Sequence, residues 1–384
     1  MFLSRCRAIA LILHRWAGMG LAGFLIMSGL TGSVIAFNQP LDAWLNPSLF
    51  RAVDTGPALP LAVLEARFAA ARPEARITYL LFGVPAGESA RAWVSSRDSS
   101  KPLGYDEVFL DPASGAVLGQ RQYGSCCLAR AKLIPFIYEL HSQLLAGVVG
   151  TWIMGIIGLV WFFDCLIAIT LTLPRAKTSF WRRWRQAWGV KHGASGFRLA
   201  FDLHRAGGLW LWVLLSIIAF SGFAINLDRP VFRPVLGFFL PFSPDPFMAA
   251  VPSAPGFDPD AIVRAAVQAV RPAQASALYC PDGLGICVVY FAPSPSTNGT
   301  GLGSPLVYVA RGSSTILRVV MPASGTSADL LERIQFPLHS GQIAGLAGKI
   351  VISLTGIATA LLSATGLIIF CRKRRARQQS RRGV

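Results

Sequence analysis

Leu140-His141-Ser142-Gln143-Leu144-Leu145-Ala146-Gly147-Val148-Val149-Gly150, followed by Gly158, returns 198 positions later as Leu338-His339-Ser340-Gly341-Gln342-Ile343-Ala344-Gly345-Leu346-Ala347-Gly348, followed by Gly356. A pattern H-S-x3-A-G-x2-G-x7-G occurring twice is an internal duplication, and periodic self-similarity decides the architecture before any single element does. The regions around it repeat as well. His14-Arg15 with Gly32 and Pro40 recurs 190 positions on as His204-Arg205 with Gly222 and Pro230. Arg72-Pro73 recurs 199 positions on as Arg271-Pro272, and the run Val108-Phe109-Leu110-Asp111-Pro112 to Val117-Leu118 as Val307-Tyr308-Val309-Ala310-Arg311 to Ile316-Leu317.

Hydropathy gives the repeating unit its parts. Of 384 residues, 53% are apolar and 14% charged, a membrane-protein balance. Four stretches come close to or exceed the ~20 apolar residues that cross a bilayer. They run from about Ala8 to Phe37, Leu144 to Leu173, Gly207 to Leu227 and Ile343 to Phe370. Each half is thus span, intervening domain, span. The first stretch does not read as a cleavable signal, because it is too long and carries His14-Arg15-Trp16.

The net charge of +17 resolves by segment. Residues 38–140 hold ten Lys/Arg against ten Asp/Glu, and 228–337 hold seven of each, so both are neutral. The excess lies in Arg5, Arg7, the run Arg175 to Arg198, and the tail Arg372 to Arg377. By the positive-inside rule both termini and 174–203 are cytoplasmic and the two larger segments are outside. That distribution marks topology and contact with the lipid bilayer, not a nucleic-acid surface.

The expected fold is a membrane α-helical bundle of four transmembrane helices with two periplasmic α+β domains and an internal two-fold duplication. Its segments are 1–37, 38–140, 141–173, 174–203, 204–227, 228–337, 338–371 and 372–384. In each outer domain an amphipathic helix (Leu61, Leu64, Phe68; Ile262, Ala265) precedes strands and a hairpin whose turn is Asp111-Pro112-Ala113-Ser114-Gly115 in the first copy. Cys126-Cys127 and Cys280/Cys287 fall outside, and the turn between the latter two suits a hairpin-closing disulfide. Asn298-Gly299-Thr300 is an isolated glycosylation triplet. No CxxCH, no GxGxxG after a strand and no complete phosphate loop is present, so covalent c-type haem, flavin and nicotinamide sites are not signalled.

Four of the five histidines fall one to each span-entry region. His14 and His204 share the cytoplasmic depth, and His141 and His339 the outer one. Imidazole beside hydrocarbon is costly unless used. Two neutral imidazoles can ligate one haem iron axially, and depth forbids cross pairing, so His14 pairs with His204 and His141 with His339; the rival reading is that the repeated histidines are inherited from the duplication and serve packing or protonation. Gly18, Gly20, Gly147, Gly150, Gly207, Gly208, Gly345 and Gly348 flank them and allow a flat macrocycle, or another helix, to approach. Arg15 and Arg205 stand beside the inner pair as possible propionate partners. Asp164 and Lys349 are intramembrane charges at different depths, so they do not pair; Asp164 is open to orienting a group near the inner pair or relaying protons, and Lys349 to snorkelling or meeting a propionate. His192 lacks a repeat partner and reads as a surface histidine.

The outer repeats, with Val108 to Leu118 as the better copy, resemble PepSY modules. With the four spans and the H-R and L-H-S motifs, nearly the whole chain resembles the PepSY-associated transmembrane family, and within it bacterial inner-membrane ferrisiderophore reductases of the FoxB type. The resemblance implies two haem b held by His14, His204, His141 and His339. It also implies a ferric siderophore substrate reduced in the periplasm, with electrons from an unidentified cytoplasmic-side donor or a quinol. The second copy departs from the pattern at Ala310-Arg311. Two other classes fit the architecture: a siderophore or peptide transporter, and a membrane-anchored PepSY regulator of a peptidase.

Overall fold

In lipid every backbone N–H must bond within its own segment, and the four apolar stretches accordingly form helices. The computed structural model describes residues 2–126, 129–175, 178–245, 247, 257–281, 283–292 and 301–382. Cys127 and the Asn298-Gly299-Thr300 triplet lie outside these. The helices long and apolar enough to span are Arg5–Ile35, Gly147–Thr172, Gly196–Asn226 and Gln342–Ser380, spans one to four below. Span three begins eleven residues before the apolar run, at Gly196, and span four continues ten beyond it, the latter through an Arg- and Gln-rich tail of good helix formers.

The chain divides into two compact units: a helical one of residues 1–37, 137–235 and 335–384, and a sheet domain of residues 38–136 and 236–334. Within the helical unit each span packs against two others, in the cyclic order one, two, three, four. The last glycine of the repeated motif makes two of these contacts. A Cβ at Gly158 would lie 2.9 Å from the Phe223 backbone N, and one at Gly356 would overlap the Gly29 carbonyl. Small residues let membrane helices approach so closely.

The duplication is plain in the sheet domain. Among the described residues eight strands form one antiparallel sheet: β1 (Ala75–Leu81), β2 (Ala90–Ser96), β3 (Glu107–Leu110), β4 (Val117–Arg121), β5 (Ala275–Tyr279), β6 (Ile286–Phe291), β7 (Leu306–Ala310) and β8 (Ile316–Val320), in the order β4-β3-β2-β1-β5-β6-β7-β8. Leu110 pairs with Val117 in the first copy, and Val309 with Ile316 in the second, 199 positions on. The two four-stranded halves join through β1 and β5, with Tyr79 opposite Tyr279 and Leu80 opposite Leu278. The sequence reads as two modules; the structure makes one sheet of them, because pairing covers an edge each half would otherwise expose.

Two helices, Leu61–Ala71 and Pro259–Ala269, bury their apolar stripes on the sheet. Leu64 and Phe68 meet Leu80, Val108 and Leu110; Ile262 and Ala266 meet Leu278, Val289 and Val307. Asp258 caps the second helix through the Ala261 N–H, and the Asp260 carboxylate accepts from Leu61 and Ala62 N–H at the start of the first. Cys280 and Cys287 form the expected disulfide across the β5–β6 hairpin. In the first copy alone, Arg121 is held between Asp42 (2.7 Å) and Glu107 (2.7 Å), all buried. The matching pair in the second copy is Leu306 and Val320. At the Ala310-Arg311 departure the hairpin persists, and Arg311 stacks on the Phe257 ring, 4.6 Å from its centre.

Candidate functional site: two histidine pairs

Each element of the repeated motif in the helical unit has a mechanical reason. His141 lies on the Arg130–Gln143 helix and His339 on the Ser327–Ser340 helix, so both precede spans two and four rather than lying within them. After each, the chain bends through positive-φ residues (Leu144, Leu145 and Gly147; Gly341 and Gly345) at the start of the span, and the continuous α-helix of span four runs from Gly345. A Cβ at Gly150 would overlap the Gln143 carbonyl, and one at Gly348 the Gly341 carbonyl. The A-G-x2-G portion of the repeat is therefore the bend that lets a span fold back on its histidine helix.

The structure brings the histidines together in two pairs. The ring centres of His14 and His204 are 6.1 Å apart, and those of His141 and His339 are 6.2 Å apart. His14 and His204 come from spans one and three, which lie diagonally opposite in the cyclic order. His141 and His339 precede spans two and four, the other diagonal. The pairs occupy opposite ends of the bundle: His14 to Thr31, which touches His141, is 17 residues of one helix, about 25 Å.

Each of the four paired imidazoles has its Nδ1 hydrogen-bonded, and the partners fix the tautomer. Thr31 Oγ1 donates to the Met27 carbonyl (2.8 Å) and so accepts from His141 Nδ1–H (3.0 Å). Ser221 Oγ donates to the Ile217 carbonyl (2.7 Å) and accepts from His339 Nδ1–H (3.0 Å), which also meets the Ile218 carbonyl at 3.1 Å. His204 Nδ1–H donates to the Leu362 carbonyl at 2.9 Å. His14 Nδ1–H donates to the Asp164 carboxylate, at 2.9 and 3.0 Å from its two oxygens. With Nδ1 protonated, each Nε2 carries the lone pair a metal needs, and such second partners orient imidazole ligands.

The donor set fits a metal held by two imidazoles in a flat macrocycle. No group of three or more His, Cys, Asp and Glu suited to a metal ion exists among the described residues. A metal–imidazole bond is about 2.0 Å, and a ring nitrogen lies about 1.1 Å from the ring centre. Two imidazoles facing each other across one metal then have centres about 6 Å apart. Both pairs meet that spacing. A further fit is the buried Nε of Arg15, beside His14, which has no hydrogen-bond partner. Arg205, expected in the same role, donates instead to the Ala187, Gln186 and Gly189 carbonyls and to Asp202. The uncommitted buried N–H is thus on Arg15.

The glycines that touch the imidazoles are not those next to the histidines in sequence. A Cβ at Gly18, Gly20 or Gly208 would meet nothing within 4 Å. At Gly32 it would lie 2.9 Å from His141 Cε1, at Gly222 3.2 Å from His339 Cε1, and at Gly366 3.1 Å from His204 Cε1. Gly32 and Gly222 are repeat partners, as are Thr31 and Ser221, so the duplication itself held the signal. Gly366 and the Leu362 carbonyl had none. His192 is exposed.

The fold and site define a multi-pass membrane protein with four spans, a joined antiparallel sheet domain and two same-depth histidine pairs. The model of the PepSY-associated TM region matches residues 11–373, and the chain belongs to that family, some members of which are ferric reductases. No curated protein matches the chain.

Proposed function

We propose that the chain is a di-haem transmembrane electron carrier that reduces ferric siderophore in the periplasm and so releases ferrous iron. One haem b belongs between His14 and His204, on the cytoplasmic side by the charge distribution, and the other between His141 and His339. The observation that carries this reading is the pair of 6.1 and 6.2 Å imidazole spacings, each ring with its Nδ1–H already engaged.

Held by these imidazole pairs, haem would supply one-electron transfer. The chain's part is to hold and orient it. Thr31, Ser221 and the Ile218 and Leu362 carbonyls lock three rings, and Asp164 the fourth. Gly32, Gly222 and Gly366 keep the space beside three of the rings clear of side chains. Arg15 supplies a buried N–H to a propionate, a charge-assisted bond. The ferric siderophore accepts one electron per iron, and ferrous iron, bound more weakly by hydroxamate and catecholate, leaves. The sequence and fold equally fit a donor that is a quinol or a cytoplasmic-side protein.

The test is haem content and the dithionite-reduced minus oxidised spectrum of detergent-purified protein, with His14→Ala and His339→Ala beside it. About two b-type haems per chain, one lost in each variant, is expected. No haem after expression with ample haem supply would reject the reading in favour of a siderophore or peptide transporter, or a membrane-anchored regulator of a peptidase.

A further inference from the structure

The duplication supplies an internal control for each histidine, and one of the four breaks the pattern. His141 and His339 each give Nδ1–H to a hydroxyl at matching positions, Thr31 and Ser221. His204 gives it to the backbone carbonyl of Leu362. The position equivalent to Leu362 in the first half, 198 residues earlier, is Asp164. There the acceptor is a carboxylate, with both oxygens within 3.0 Å of His14 Nδ1 and a side chain only 10% exposed. Three rings therefore donate to neutral oxygens and one to an anion, in a membrane interior where a carboxylate is expensive to keep.

Building on the di-haem reading above, we propose that Asp164 is a positioning residue that lowers the reduction potential of the haem held by His14 and His204 and thereby gives electron flow its direction. A carboxylate accepting the far N–H of a ligating imidazole makes that imidazole a stronger donor. A fixed negative charge in a low-dielectric site also favours the more positive, oxidised iron. Hydrogen bonds and charge around the ligands are among the levers by which a protein sets a haem potential. The His141/His339 site has hydroxyl and carbonyl partners only, so nothing of this kind acts on it. One electron passing from the first site to the second oxidises one iron and reduces the other. A lower potential at the first makes that passage downhill, away from the basic cytoplasmic flank. An exact repeat would have put the same acceptor behind both ligands of the inner pair; the Asp164/Leu362 difference places one carboxylate there, and the His141/His339 pair has none.

The experiment is a spectroelectrochemical titration of the purified full chain with its haems, comparing the unaltered protein, Asp164→Asn and Asp164→Glu. Absence of haem from the unaltered protein would overturn the parent reading before any variant is made. With two haems present, Asp164→Asn should raise one of the two potentials by at least tenfold in the reduction equilibrium, about 59 mV for one electron, and leave the other in place. Asp164→Glu, which keeps the charge, should move it by less than a third of that. In a His141→Ala background the remaining haem should be the one that shifts. Unmoved potentials in Asp164→Asn, an equal shift in Asp164→Glu, or loss of the haem in Asp164→Asn would each overturn the proposal. The last would make Asp164 a support for the ligand and not a determinant of its potential.

Discussion

On the di-haem reading proposed above, replacing Gly32 with alanine should weaken haem binding at the His141/His339 pair, and the coordinates set the expected size. Ordinary contacts to a Cβ begin near 3.4 Å, whereas a Cβ at Gly32 would stand 2.9 Å from His141 Cε1. The imidazole must retreat by several tenths of an ångström. Metal–ligand distances tolerate about 0.2 Å, so the displacement cannot be absorbed at the metal. His141 is also tied to Thr31 at 3.0 Å, and a retreat stretches that bond. Losing a second contact of this kind costs about 10- to 100-fold in metal affinity. The same reasoning grades the three sites: Gly366→Ala at 3.1 Å should weaken the His14/His204 haem less, and Gly222→Ala at 3.2 Å should have the least effect. Haem-to-protein ratios measured across a haem titration of each purified variant read this directly. Full occupancy in Gly32→Ala, or a larger loss in Gly222→Ala than in Gly32→Ala, would refute the reasoning.

The sheet domain offers three further tests. Arg121→Met leaves Asp42 and Glu107 buried without the guanidinium that bonds both, with only Arg91, 3.9 Å from Glu107 Oε1, still near Glu107; a loss of about 3 kcal/mol is expected, read as a lower Tm of the full chain in detergent. Burial pushes the Glu65 carboxyl up to about 7, against the opposing pull of Arg311 and Arg97. Its folded proton affinity exceeds the unfolded one, so its contribution is fully present below the ordinary value and is lost as pH rises toward 7, by at most about 3 kcal/mol. Tm should therefore fall between pH 5 and pH 8, and Glu65→Gln should flatten that fall. Reducing the Cys280–Cys287 disulfide, which closes a short loop, should cost about 2 kcal/mol, seen as a Tm decrease on adding dithiothreitol that the Cys280→Ser/Cys287→Ser variant does not show.

The sequence by itself determined the spans, the duplication and the identity of the four histidines. Hydrocarbon length and periodic repetition are local or one-dimensional properties, legible without coordinates. It also showed which histidines share a depth, since His14/His204 and His141/His339 are repeat partners. Tertiary structure alone decided how the rings are held. That β1 and β5 join two modules into one sheet depends on edges meeting. That Gly32 and not Gly18 faces an imidazole depends on which helix crosses the histidine, and diagonal placement in the bundle carries no sequence period. Arg205, as good a candidate as Arg15 by position, is committed to a loop that only folding brings against it. The Asp164 contact with His14, 150 residues away, was foreshadowed by an intramembrane carboxylate that needed a use. That it replaces a backbone carbonyl in the other half became visible only when helix packing put both acceptors on the same atom of equivalent rings.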